Sequence, residues 1–132
     1  MHNNYLCPHC KGFINIEDEI IFTVNTEEGK PGLISLNAEL GNYKIKHNKW
    51  FNVQEGIYHV FFCPICHKDL SSDEHAGLVW IVLKDSDGKE FNIYFSGIAG
   101  EKSTFKVIGD SAEIYGDDSN KYVDYFNLIQ MT

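Results

Sequence analysis

Apolar and polar positions divide the chain into a succession of short strands. Ile20-Ile21-Phe22-Thr23-Val24, inside the stretch Glu19 to Thr26, is apolar enough for a buried strand. The turn-forming run Glu27-Glu28-Gly29-Lys30-Pro31-Gly32 closes it before Leu33-Ile34-Ser35-Leu36 returns. Tyr43-Lys44-Ile45-Lys46 alternates apolar and charged side chains, the period-two pattern of a half-buried strand. Ile57 to Phe62 reads as a strand running straight into Cys63. The clearest hairpin is Leu78 to Leu83 and Phe91 to Phe95, flanking the polar, glycine-containing segment Lys84 to Glu90. Thr104 to Ile108 and Ala112 to Tyr115 form a second pair around Gly109-Asp110, and Lys121 to Ile129 fits either a short amphipathic helix or a last strand. The expected fold class is mainly β: a small antiparallel β domain with at most one short C-terminal helix.

One feature changes this picture from a generic β protein to a metal protein. The four cysteines fall in two matched pairs, Cys7-Pro8-His9-Cys10 and Cys63-Pro64-Ile65-Cys66. A C-x2-C pair bends the backbone into a knuckle that presents two thiolates to one ion, and two knuckles complete a tetrahedral all-sulfur site. Cys7, Cys10, Cys63 and Cys66 are therefore the expected metal ligands. Proline in both pairs and the absence of a βαβ setting argue against a thioredoxin-type redox dithiol. Disulfides are the other use of four cysteines, but nothing marks the chain as secreted. Lys11-Gly12-Phe13-Ile14 reads as a tight turn into a strand, with Gly12 supplying a permissive backbone. His67-Lys68-Asp69-Leu70 turns away from the second knuckle and places Leu70 to cover the site. Zinc is the default ion for a closed four-thiolate site, and iron is the competitor because the same geometry suits it.

The spacing resembles zinc ribbons and, more distantly, rubredoxins, whose knuckles also read C-P-x-C. The resemblance covers Tyr5 to Gly12 and Phe61 to Leu70. Rubredoxin-type knuckles generally carry glycine directly after the second cysteine; here those positions hold Lys11 and His67, which favours zinc over iron. A wider set of segments adds Tyr94 to Thr104 and Tyr122 to Phe126. In this combination the chain looks like a group of small bacterial zinc-ribbon-like proteins. That resemblance implies a metal and a bacterial cytosol, and no activity.

Fifty-two residues, 11 to 62, separate the pairs, where common ribbons have roughly 15–20. Closing the longer loop costs only about 1 kcal/mol more, against a structural zinc contribution on the order of 10 kcal/mol. The interval is long enough for a β insert. The expected organisation is one domain, 1–132, with knuckles at 5–12 and 61–70, a β insert at 13–60 and hairpins over 78–115. A hydrophobic content of 43% and an aromatic content of 14% are those of a folded domain, not a disordered tail. The N-terminal residues show no charged-then-apolar signal pattern and no apolar run reaches membrane length. A cytoplasmic protein with no membrane role is expected.

The formal net charge is −8, and a divalent ion on four thiolates makes it more negative still. Nucleic-acid affinity comes largely from lysine and arginine neutralising phosphates, so nucleic acid is an unfavoured partner. The small cluster Lys44, Lys46 and Lys49, near His47 and Trp50, reads as a solvated strand edge. Gly97-Ile98-Ala99-Gly100-Glu101-Lys102-Ser103 superficially resembles a phosphate loop, but Glu101 replaces the required glycine and the segment lies between two strands. It reads as a β-to-β connection with an exposed Glu-Lys pair. Trp80 and Phe95 belong to strong strands and are expected in the core, whereas Trp50-Phe51, flanked by Lys49 and Asn52, has the better claim to exposure.

Six histidines raise the question of catalysis. His9 lies inside a knuckle, at a middle position that normally points outward, and His67 is placed to donate a hydrogen bond to a thiolate. His67, Asp69, Asp73 and His75 form a loose His/Asp cluster that a solvated acidic turn explains without chemistry. No nucleophile elbow or H-E-x-x-H pattern is present. The functional expectation is a non-catalytic adaptor or regulatory module that binds another protein through the zinc-ribbon surface around His9, Ile65 and His67. A rubredoxin-like one-electron carrier with iron at the same cysteines is the second reading, and an enzyme with a site near residues 67–75 the third.

Overall fold

A computed structural model describes residues 3–25, 30–51, 53–109, 111–122 and 129–130. Two sheets make up the fold. The larger runs in the order β1 (Asn4–Leu6), β7 (Leu78–Lys84), β8 (Glu90–Ser96), β9 (Thr104–Ile108), β10 (Ser111–Tyr115) and β11 (Ile129–Gln130). The smaller is built from β2 (Asn15–Ile16), β3 (Glu19–Asn25), β4 (Pro31–Asn37) and β5 (Ile45–His47), with β6 (Phe61–Phe62) paired to the far end of β3. All pairings are antiparallel except β10 with β11. A 3-10 turn over Ser119–Tyr122 is the helical element among the described residues. The mainly antiparallel β class expected from the sequence is the class observed. Residues 123–128, most of the stretch read as helix or strand, lie outside the described residues.

Leu78-Val79-Trp80-Ile81-Val82-Leu83 is a continuous apolar run because β7 is covered on both faces. Val79, Ile81 and Leu83 point with Tyr5, Ile93 and Phe95 into a core shared with Ile20, Phe22, Val24 and Ile34 of the smaller sheet. On the opposite face Leu78, Tyr94 and Phe105 pack with Tyr122 of the 3-10 turn in a second cluster. The Lys84–Glu90 hairpin forms as the sequence indicates: Asp85 caps the turn by accepting from the amides of Asp87 and Lys89, and Gly88 takes the positive φ.

Four expectations are corrected. Ile45, Lys46 and His47 are all exposed rather than half-buried, because β5 is the edge of its sheet, paired on one side only, and Ile45 borders the inter-sheet cavity instead of packed side chains. The strand before Cys63 shrinks to Phe61–Phe62, since Tyr58 bridges instead to Ile98 of the larger sheet's connecting segment. Phe51 is buried to 1% exposure, although its neighbour Trp50 stays 58% exposed. Its ring lies where a side chain on Gly32 would stand. Trp80, expected in the core, is only partly buried.

A cavity of about 380 Å³ lies between the sheets, walled by core side chains including Val24, Ile34, Phe61, Ile81 and Phe95. It opens where its lining reaches the exposed residues Glu39 and Lys44 on one side and Glu55, Gly100 and Lys102 on the other. Closed and empty, apolar space of that size would cost about 9 kcal/mol at the usual penalty per unit volume, comparable to the whole stability of a domain.

Tyr5 borders this cavity and its hydroxyl donates to the Ala38 carbonyl at 2.6 Å. Burial, with a smaller contribution from Tyr115, pushes the Tyr5 phenol up to about 12. The folded state thus keeps a proton that the unfolded chain loses near pH 10, so stability present below pH 10 is lost as pH rises toward 12. Tyr5→Phe should cost about 1–2 kcal/mol at neutral pH by orphaning the Ala38 carbonyl. Its deficit should shrink between pH 10 and 12, read by denaturant unfolding at each pH; a deficit independent of pH would contradict this account.

Candidate metal centre

Each cysteine pair forms the tip of a small hairpin, and the two tips are built alike. Leu6 bridges Phe13 across the first, and Phe62 bridges Asp69 across the second. Within the tips, Lys11 N–H donates to the Cys7 carbonyl and His67 N–H to that of Cys63, both at 2.9 Å. Cys7 N–H donates to Gly12 and Cys63 N–H to Lys68, both at 3.0 Å. Immediately beyond, Ile14 and Leu70 return amides to Tyr5 and Phe61 and bury their side chains under the knuckles. Leu70 and Ile14 occupy equivalent positions after the two tips and belong to the same buried cluster as Cys7 and Cys63.

Both knuckles straddle the two sheets. The first leaves β1 on the larger sheet and enters β2 on the smaller one. The second leaves β6 on the smaller sheet, and beyond it Ser71 bridges Val79 while Leu70 accepts the amide of Trp80 on the larger. This geometry brings Cys7, Cys10, Cys63 and Cys66 together across the long intervening sequence.

The four Sγ atoms all lie within 4.8 Å of one another, a cluster that could hold a metal ion. Between knuckles, Cys7 lies 3.7 Å from Cys66 and Cys10 3.8 Å from Cys63. A tetrahedron with metal–sulfur bonds of about 2.3 Å has edges of about 3.8 Å. A disulfide needs about 2.05 Å, and all four cysteines are free. The donor set, the separations and the closed arrangement fit a tetrahedral thiolate site.

Backbone amides aim at the sulfurs. His9 and Cys10 N–H point to Cys7 Sγ, Ile65 and Cys66 N–H to Cys63 Sγ, and Gly12 N–H to Cys10 Sγ, at 3.3–3.5 Å. Such donors favour thiolate over thiol and partly offset its charge. Burial acts the other way at the two inner cysteines. It pushes the Cys7 thiol up to about 12 and raises Cys63, while the Lys68 amide leads the groups that lower the half-buried Cys66. A cation at the centre would reverse the balance at Cys7 and Cys63 by its own charge.

The residues directly after the second cysteines repay inspection. Lys11 has φ 63° and His67 φ 66°, the left-handed region that glycine occupies at low cost. The departure from the rubredoxin pattern thus changes the residue and keeps the backbone shape. Gly12 has a different role from the one expected: its φ is ordinary, and what matters is its missing side chain, since a Cβ there would lie 2.7 Å from Ile65 Cδ1 of the facing knuckle. The two tips consequently pack directly on each other.

The histidines stand outside this arrangement. His9 is exposed, with its ring edge-on to Trp80 at 6.0 Å, and His67 is exposed, so the sulfur donors are amides and not imidazoles. Asp69 and Asp73 are exposed and His75 packs against Tyr94. Among the described residues the four cysteines are the one group of three or more His, Cys, Asp or Glu placed to share an ion, so His67, Asp69, Asp73 and His75 do not assemble a metal site. Glu101 is not an exposed partner of Lys102; it accepts from the hydroxyls of Ser96 and Tyr122. Sequence reasoning missed that polar knot because Tyr122 comes from 21 residues away and Ser96, though only five residues from Glu101, is individually unremarkable.

Fold and site define a mainly antiparallel β protein with a clustered four-cysteine centre. The chain matches no protein-family model, no curated protein and no solved structure. No helix among the described residues is long and apolar enough to cross a membrane.

Left-handed backbone costs a non-glycine residue roughly 1–2 kcal/mol, and glycine returns about half of that relief as unfolded-state entropy. His67→Gly should therefore raise the stability of the metal-loaded protein by about 0.5–1 kcal/mol with metal content unchanged, measured by thermal unfolding. A lowered Tm would mean that the imidazole contributes more than its backbone strain costs.

Proposed function

We propose that Cys7, Cys10, Cys63 and Cys66 hold one zinc ion, and that the protein is a non-catalytic cytoplasmic adaptor or regulatory module. It binds another protein through the surface of the paired knuckles. The observation that carries this reading is the closed, amide-lined sulfur cluster, which leaves no ligand position for substrate and so suits a structural ion. The knuckle surface supplies the docking face: Ile65 is 54% exposed against Gly12, and Phe13, next along the first tip, is 58% exposed. Side chains of this size are exposed to advantage when a partner covers them. A negatively charged chain with few clustered cations favours protein over nucleic acid as that partner.

A second reading keeps the ligands and changes the ion. Amide donors to thiolate sulfurs also tune the potential of an iron centre, and the left-handed backbone at Lys11 and His67 preserves a rubredoxin-like knuckle. Iron at these cysteines would make the protein a one-electron carrier.

Elemental analysis of untagged protein purified without chelator or added metal separates the two. One zinc per chain and no colour supports the adaptor; one iron per chain with a red ferric form supports electron transfer. Cys63→Ser should release the ion and speed hydrogen exchange at the amides of Tyr5 to Gly12, whereas unchanged metal content and exchange would refute the shared site.

The docking face is tested separately. Ile65→Asp lies off the sulfurs and should keep full metal content and Tm within about 1 kcal/mol of wild type. It should abolish recovery of any partner that cross-links to wild-type protein in cells. Equal recovery by the variant would place the interaction elsewhere.

A further inference from the structure

The cavity between the sheets has no part in the knuckle surface, and its chemistry points to a different ligand. Its inner walls are core side chains, among them the aromatic residues Tyr5, Phe51, Phe61 and Phe95, and surface residues line only its mouth. Water gains little in such a space, because an ordered water needs two to four polar partners. The hydroxyls on the lining are already engaged within the protein: Tyr43 with Thr104 at 2.9 Å, Ser103 with Ser119 at 3.2 Å, and Ser96 with Glu101 at 2.7 Å. They therefore demand nothing from a ligand. An apolar pocket that reaches the core of a small domain is a default binding site.

Size and charge narrow the occupant. A volume of 380 Å³ holds about a dozen waters' worth of liquid, hence a molecule of about a dozen non-hydrogen atoms or slightly more. An α-helix, about 10 Å across with its side chains, does not fit. The lining carries Glu39, Glu55 and Glu101 together with Lys44 and Lys102, and the Glu101 carboxylate is already engaged by the hydroxyls of Ser96 and Tyr122, so the mixed charge selects neither an anion nor a cation. Nucleotides and fatty-acid headgroups would want the lysines alone.

We propose that this cavity is a binding site for a small, uncharged, largely hydrocarbon molecule, with aromatic rings favoured by the four aromatic walls. Binding would replace poorly satisfied water by dispersion contacts and stabilise the packing of one sheet on the other. The proposal does not depend on which ion the cysteines hold.

The test uses the full chain as purified and N-phenyl-1-naphthylamine, an uncharged three-ring probe whose fluorescence rises in apolar surroundings. Saturable binding at one probe per chain is expected. Methyl NMR signals of Ile34, Ile81 and Ile93 should shift on titration, while those of Leu78, in the core on the other face of the larger sheet, should not. Ile34→Trp fills the space and should weaken the probe by about tenfold or more while preserving metal content. Leu36→Trp, nearer the mouth, does the same should the first variant fail to fold. Absence of saturable fluorescence from wild type, or shifts spread equally over Leu78, overturns the proposal without reference to any variant. So does undiminished binding in a folded, filled variant.

Discussion

The contact between the two knuckles is the constraint on which the arrangement of this protein depends. Each tip is rooted in both sheets, so an ion shared by Cys7, Cys10, Cys63 and Cys66 would fix one end of the interface between them. Sulfurs of opposite tips approach to 3.7 and 3.8 Å. An ion there would consequently act on tertiary structure and not merely on two local turns. The free energy of a structural thiolate site, on the order of 10 kcal/mol, is far larger than the roughly 1 kcal/mol that the long intervening loop adds. Sequence distance between the pairs is therefore a weak objection to a shared site.

Conservation of shape at the knuckles comes with local strain. Lys11 and His67 adopt backbone angles that a glycine would accept more readily, and histidine tolerates this region better than most side chains. The Lys11 ammonium lies 3.6 Å from Glu90, but both groups are well exposed and the pair contributes little. Strain of this kind persists where surrounding bonds over-determine the backbone. Here the paired carbonyl and sulfur hydrogen bonds of each tip supply that constraint.

The parts of the structure that were legible from the sequence are those set by local chemistry. The C-P-x-C pairs define the knuckles, Asp85 and Gly88 define a hairpin, and the unbroken apolar run at Leu78 to Leu83 signals a strand covered on both faces. What was not legible depends on partners remote in the chain. The alternation at Tyr43 to Lys46 looks half-buried, yet β5 is an exposed edge strand whose Ile45 borders the cavity and not a packed layer. Phe51 sits among polar neighbours and looks exposed, yet the bare backbone of Gly32 receives its ring. Glu101 looks like a solvated loop charge, yet hydroxyls from Ser96 and Tyr122 converge on it. The cavity is the extreme case, because an unfilled volume is a property of two sheets together and leaves no mark on either strand pattern.

Knuckles and cavity meet in one side chain. Tyr5 stands two residues before Cys7 on the same face of β1, borders the cavity, and donates its hydroxyl to Ala38 on the far sheet. Its position is held from one side by the first knuckle and from the other by whatever fills the space beside it. A molecule that binds the cavity only with Tyr5 seated would stabilise that seat, and an ion that closes the knuckles would stabilise the same seat from the opposite end. Two ligands that favour one conformation of a shared element raise each other's affinity by the same factor. An ion at the knuckles would then tighten binding of a molecule in the cavity, and that molecule would tighten binding of the ion by the same factor, without any contact between the two. The short strand Asn4–Leu6, three residues at the edge of its sheet, is weak enough alone for both ends to matter.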